Sequence, residues 1–241
     1  MKQRLDRFLV ETGRVESREK AQALIMAGDV LVNGVKAAKA GQSVAPDAAI
    51  EILSRPPYVS RGGLKLAAAL AHFQCLLEDR VCLDVGSSTG GFTDCLLQHG
   101  ARRVHAVDVG AGQLDWKLRN DPRVVVHEGI NARYLQADQI GEAVDLIVCD
   151  VSFISVTLIL PALAPLFRPP DTQLVILIKP QFEVGKGQVG KGGIVREPEL
   201  HQAACERVKQ AVRQFGFETG IIDSPILGAE GNKEFLLHAH H

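Results

Sequence analysis

The sequence predicts an α/β fold: a doubly wound, mostly parallel Rossmann-like sheet preceded by a small α+β unit. Three observations carry this. From residue 81 onward, short Val/Ile/Leu runs alternate with helical stretches, the pattern of strands buried on both faces by crossover helices. The first 53 residues follow a different pattern, two helices and then short strands. Between the two, Ser54-Arg55-Pro56-Pro57 interrupts regular structure. The expected organisation is a domain at residues 1–53, a linker at 54–60 and a larger domain at 61–241.

In the first part, Leu5, Phe8 and Leu9 recur at helical spacing and Gly13 stops the helix. Ser17 is placed to cap a second helix running through Ala21, Leu24 and Ile25, with Gly28 closing it. Val30-Leu31-Val32 then meets Asn33-Gly34, a strong hairpin-turn signal, and Ile50-Glu51-Ile52 reads as a closing strand. In the second part the expected strands are Val81–Val85, Val104–Asp108, Val124–Val126, Leu146–Asp150, Leu174–Lys179, Ile221–Asp223 and Phe235–His238.

The bulk composition excludes several classes. No apolar run approaches the roughly 18 residues of a membrane span, and no apolar core follows Met1-Lys2-Gln3-Arg4 as in a secretory signal. Cys75, Cys82, Cys95, Cys149 and Cys205 form no Cys-x-x-Cys pair and sit mostly in apolar segments, which reads as free thiols in a reducing cytoplasm. The closing histidines resemble a residual tag and receive no metal role. Net charge is −1, yet residues 1–65 carry 11 Lys/Arg against 7 Asp/Glu. Arg4, Arg7, Arg18 and Lys20 therefore make the front unit the end that would face a polyanion; solvated helix faces are the plainer alternative.

Asp84-Val85-Gly86-Ser87-Ser88-Thr89-Gly90-Gly91-Phe92 follows a strand and opens a helix. Glycines at such a turn let the backbone approach a ligand closely. Position 88 is Ser, so this is not the dinucleotide pattern GxGxxG, and an Asp ending the strand suits a cationic, amino-acid-bearing ligand better than a pyrophosphate. Asp108 ends the next strand, where a carboxylate would accept ribose hydroxyls. The two together favour S-adenosylmethionine over NAD. Asp84, Gly86, Ser88, Thr89, Gly90, Phe92, Asp108 and Asn131 are the cofactor-binding candidates. Gly185 to Gly192 nearly fits a P-loop, but Gly192 stands where the Mg²⁺-binding hydroxyl belongs. Its Lys186 and Lys191 are instead candidates for touching RNA phosphates, or belong to a plain surface loop. Trp116, the only tryptophan, is expected in the core, with stacking on a base as the lesser alternative.

Four polar residues stand at element ends: Lys65 opening a helix, Asp150 and Lys179 ending strands, and Glu234 before Phe235-Leu236-Leu237. In open α/β sheets the ligand crevice lies beyond the carboxyl ends of the strands, so Asp150 and Lys179 should reach one site. In order and context the four match the lysine–aspartate–lysine–glutamate tetrad of the FtsJ-like ribose 2′-O-methyltransferases, which the second part resembles. Over nearly all of its length the chain is more similar still to the TlyA (hemolysin A) family of ribosomal-RNA methyltransferases. The segments that carry this are Tyr58-Val59-Ser60-Arg61-Gly62-Gly63, Asp84 to Phe92, Asp150-Val151-Ser152-Phe153-Ile154-Ser155 and Lys179-Pro180-Gln181-Phe182-Glu183.

The resemblance implies that residues 1–53 are an S4-like RNA-binding module. It implies 2′-O-methylation of cytidine ribose in rRNA, with rRNA or ribosomal subunits as partners. A ribose hydroxyl is a poor nucleophile and needs deprotonation and alignment. Lys179 is the candidate base, and a charged Lys179 stabilising the developing alkoxide is the rival role. No His/Cys cluster suggests a metal. Competing readings are an RNA-binding protein without catalysis, opposed by the intact tetrad, and a membrane-active hemolysin, opposed by the want of an amphipathic or spanning segment.

Overall fold

A computed structural model describes residues 2–53, 56–228 and 231–241, apart from the Lys186 side chain. The chain divides into two compact units, residues 1–56 and 57–241. Ser54 and Arg55 of the expected linker lie outside the described residues. Val59, also read as linker, donates its backbone N–H to the Asp94 carboxylate of the second unit at 2.9 Å.

The first unit runs β1 (Gln3–Arg4), α1 (Leu5–Glu11), α2 (Arg18–Met26), β2 (Val30–Val32), β3 (Val35–Lys36), β4 (Ser43–Val44) and β5 (Ile50–Ile52). The Ser17 hydroxyl accepts the N–H of Lys20 at 3.2 Å, closing the α2 N-terminus. Asn33 and Gly34 both have positive φ, 52° and 79°, the geometry that an Asn-Gly type I′ turn requires. β2 lies between β3 and β5 in an antiparallel three-stranded sheet. Leu5, Leu9, Ala21, Ile25 and Val30 form its core. The two-residue pair of β1 with β4 was too short to leave a periodic signal.

The second unit runs α3 (Gly62–Phe73), β6 (Val81–Val85), α4 (Gly91–Gln98), β7 (Arg103–Asp108), α5 (Trp116–Arg119), β8 (Val124–Glu128), α6 (Ala137–Ile140), β9 (Leu146–Cys149), α7 (Leu160–Leu163), β10 (Gln173–Ile178), α8 (Pro180–Glu183), α9 (Pro198–Arg213), β11 (Glu218–Asp223) and β12 (Phe235–His240). Its sheet has the order β11-β12-β10-β9-β6-β7-β8. All pairings from β10 to β8 are parallel, and β12 is antiparallel to both its neighbours. Strand alternation divides the core. Val81, Leu83, Val85, Ile147, Ile176 and Leu237 pack with α7 and α9 on one face. Cys82, Val148, Val175, Leu177 and Leu236 pack with α3 and α4 on the other.

One expectation is corrected here. Trp116 is 77% exposed rather than in the core: it opens the short helix α5, and Leu118 is the residue of that turn that is buried. Two of the closing histidines, His238 and His240, lie within β12. There the buried His238 ring meets the Gln173 amide oxygen at 3.0 Å.

Candidate active site

Sheet topology brings the four polar residues to one edge. The chain proceeds outward from β6 through β7 to β8, then returns to β9 on the other side of β6. The crevice at such a reversal opens beyond the strand ends. Asp150 follows β9 and Lys179 follows β10. Because β12 runs antiparallel, its first residue, Phe235, pairs with Ile178 at the end of β10. That register brings Glu234 and Lys179, each one residue beyond this pair, to the same end of the sheet. Lys65 comes from the first turn of α3, whose approach segment is tied down by Asp94 through the backbone of Val59.

Lys65, Asp150, Lys179 and Glu234 all line one cavity of about 710 Å³. They form two ion pairs: Lys65 Nζ donates to Glu234 Oε2 at 2.5 Å, and Lys179 Nζ lies 2.5 Å from Asp150 Oδ1. Lys65 and Glu234 are buried, with side chains 11% and 2% exposed, while Asp150 is 22% exposed. Lys179 Nζ also donates to the Ser152 hydroxyl at 2.8 Å.

Gly86, Ser88, Thr89 and Phe92 of the glycine-rich turn line the same cavity. Here glycine is required by close approach: a Cβ at Gly86 would lie 2.5 Å from the carbonyl oxygen of Asp150, and a Cβ at Gly91 would lie 2.2 Å from Ser60 Oγ. Asp108 and Asn131 line a second cavity of about 530 Å³ with Val109, Gln113 and Ile130. The two cavities share Gly86, Ser88, Asp150, Ser152 and Phe153, so they adjoin. Asp108 braces the turn, accepting the N–H of Ser88 at 2.8 Å and of Gly110 at 2.7 Å. Asn131 Oδ1 accepts the N–H of Arg133 at 3.0 Å.

Asp84 and Gly90 line neither cavity. Asp84 shares with Cys82 the strand face that packs on α4, and its fully buried carboxylate accepts the Thr93 hydroxyl at 2.6 Å. Burial pushes its carboxyl up to about 7. Its other oxygen, Oδ1, is buried with no hydrogen-bond partner among the described residues. Gly90, with φ 95°, packs against Leu118 and Leu114.

In the first unit, the fully buried Asp6 carboxylate accepts from Arg4, Arg18 and Gln22 at 2.9–3.1 Å. The Arg4 hydrogen bond above all holds its carboxyl far below the usual range. Arg4 and Arg18 are thereby fixed with their side chains 46% and 45% exposed. Lys20 pairs with Glu16 at 2.8 Å, and Arg7 is exposed. In the second unit Lys191 is exposed, while the Lys186 side chain lies outside the described residues. The segment from Gly185 to Gly193 forms two short 3₁₀ turns, and the long helix α9 begins only at Pro198. Among the described residues, no group of three or more His, Cys, Asp or Glu is placed to hold a metal ion, and no helix is long and apolar enough to cross a membrane.

Sequence reasoning missed Ser152, Arg61, Phe153 and Asn232 as lining residues. The first three lie inside motif segments already singled out, and Asn232 stands two residues before Glu234. Phe153 is 92% exposed with φ 67°, and its ring lies 5.3 Å from that of Phe182.

The FtsJ-like methyltransferase model matches residues 58–241 and the S4 domain model residues 3–50. The chain belongs to the TlyA (hemolysin A) family of rRNA methyltransferases. A TlyA relative, the 16S/23S rRNA (cytidine-2′-O)-methyltransferase of Mycobacterium tuberculosis, is 47% identical over 97% of this chain and 88% of its own. Hemolysin A of Brachyspira hyodysenteriae is 45% identical over 98% of both. A solved candidate hemolysin from Streptococcus thermophilus is 45% identical with a TM-score of 0.75, covering 99% of this chain and 88% of that one. The seven-stranded sheet of the TlyA catalytic unit is typical of S-adenosylmethionine-dependent methyltransferases.

Proposed function

We propose that this chain transfers the methyl group of S-adenosylmethionine to the ribose 2′-hydroxyl of cytidines in rRNA. The observation that carries the reading is the single cavity in which two lysine–carboxylate pairs meet the glycine-rich turn. The residues present fit the cofactor. Asp108 uses two of its roughly four lone-pair sites on backbone N–H groups and keeps the others for ribose hydroxyls in the second cavity. Gly86 leaves no room for a side chain where the two cavities adjoin, and Gly91 leaves none against Ser60 in the first. The bound cofactor supplies an electrophilic methyl on a sulfonium. Lys179 takes the 2′-hydroxyl proton, Asp150 orients its amine, and the Lys65–Glu234 pair borders the cavity from α3 and the residue before β12. In this reading residues 1–53 hold structured rRNA and 61–241 carry the chemistry, in the cytoplasm where ribosomes are made. The test is incubation with labelled S-adenosylmethionine and purified ribosomal subunits; label in rRNA supports the reading, and none in either subunit refutes it.

Asp108→Ala should weaken cofactor binding by about 1.5–3 kcal/mol, the range for hydrogen bonds to a charged acceptor, with NAD binding to neither protein. Calorimetry showing wild-type affinity would remove Asp108 from the site.

Arg7 and Lys20 can be neutralised without unpairing the buried Asp6. Replacing both with glutamine should flatten the salt dependence of RNA binding by roughly 0.7–0.9 in log–log slope per lost phosphate contact. An unchanged slope would place the phosphate contacts elsewhere, Lys191 included.

A further inference from the structure

Ser152 stands two residues beyond Asp150 and lines both cavities. Its Oγ accepts from Lys179 Nζ at 2.8 Å, while Asp150 Oδ1 lies 2.5 Å from the same nitrogen. A neutral primary amine has two N–H bonds and one lone pair. The hydrogen bond to Ser152 sets the rotation of the amine about its Cε–Nζ bond. The Asp150 Oδ1 contact is an ion pair without a directed hydrogen bond, and its negative charge repels a lone pair, so the lone pair has a single direction left.

We infer that Ser152 is a positioning residue for methyl transfer: together with Asp150 it fixes the rotation of the Lys179 amine so that the lone pair faces the ribose 2′-hydroxyl. The inference rests on the function proposed above with Lys179 as base. As the ribose oxygen attacks the methyl carbon, the carbon–sulfur bond breaks with its electron pair going to sulfur. The hydroxyl proton passes to Lys179, which becomes an ammonium. One of its N–H bonds still meets Ser152, another is the one just formed, and the Asp150 carboxylate pairs with the new charge.

The loop carrying Ser152 is built to hold it. At one end the Asp150 N–H donates to the carbonyl of Val85 at 2.9 Å. At the other, the buried Glu183 carboxylate accepts the Ser155 hydroxyl at 2.6 Å and the Val156 N–H at 2.8 Å. Between these anchors Phe153 takes φ 67°, a backbone conformation that non-glycine residues adopt only where the surroundings impose it. Ser152 itself is exposed. Its hydroxyl could be solvated by water, so the fold has no need of the bond to Lys179.

The test uses the full chain with ribosomal subunits and labelled S-adenosylmethionine, comparing wild type, Ser152→Ala, Ser152→Thr and Lys179→Ala. In Ser152→Ala, kcat should fall by about 10- to 100-fold, the scale of a misplaced catalytic group. The KM for cofactor and RNA and the thermal midpoint should stay at wild-type values. Ser152→Thr keeps the hydroxyl and should recover most of the rate. Wild-type kcat in Ser152→Ala, a loss confined to KM, or no recovery in Ser152→Thr would overturn the assignment. An active Lys179→Ala would instead overturn the underlying reading of the site, whatever Ser152 does.

Discussion

Lys179→Ala loses methyl transfer by at least about 10²–10⁴-fold, the contribution of a well-placed general base, while binding S-adenosylmethionine and RNA nearly as the wild type does. Proton removal matters in the transition state and not in the ground state, so the loss should fall on kcat and kcat/KM equally. Lys179 is held by Asp150 and Ser152 in the cavity, and Asp150, 22% exposed, is accessible to water once the amine is gone. The fold therefore survives the change, and cofactor affinity by calorimetry serves as the control. Asp150→Ala and Glu234→Ala should also slow the reaction. Combined with Lys179→Ala they should cost little more, because groups acting as a unit do not add.

The second large effect separates stability from catalysis at the inner pair. Glu234→Ala leaves the Lys65 ammonium buried and uncompensated, which costs about 3–5 kcal/mol. Replacing both residues with apolar ones of similar volume, Lys65→Met with Glu234→Leu, should restore most of that stability, since a buried ion pair roughly breaks even against a well-packed apolar pair. The double variant should remain inactive. Denaturant unfolding of the two singles and the double measures the first claim, and methyl transfer the second. A double variant as unstable as either single would mean that the pair contributes net stability, and an active one would remove it from the chemistry.

The elements of this protein were largely legible because their signals are local. Ser17 caps α2, Asn33-Gly34 turns the hairpin, and the apolar runs of β6, β9 and β10 lie where strands buried on both faces must. What failed depended on distant partners. Nothing near Phe235 shows that β12 inserts antiparallel between β10 and β11, yet that insertion delivers Glu234 to the site. The pairing of Lys65 with Glu234 spans 169 positions and has no trace in spacing. Asp84 sits at a strand end, and strand alternation sends its side chain to α4. Trp116 went wrong because a lone tryptophan is usually core, whereas the short helix α5 buries Leu118 instead. Ser152 lay inside a motif but carried no charge to draw notice.

The most direct test of the central claim is nucleoside analysis of rRNA after reaction with the wild-type protein and S-adenosylmethionine. The account predicts 2′-O-methylcytidine, with the phosphodiester on its 3′ side resistant to alkaline cleavage because the 2′ oxygen can no longer attack, and none of it with Lys179→Ala. Methyl groups found on a base rather than a ribose, or the same product from Lys179→Ala, would contradict it.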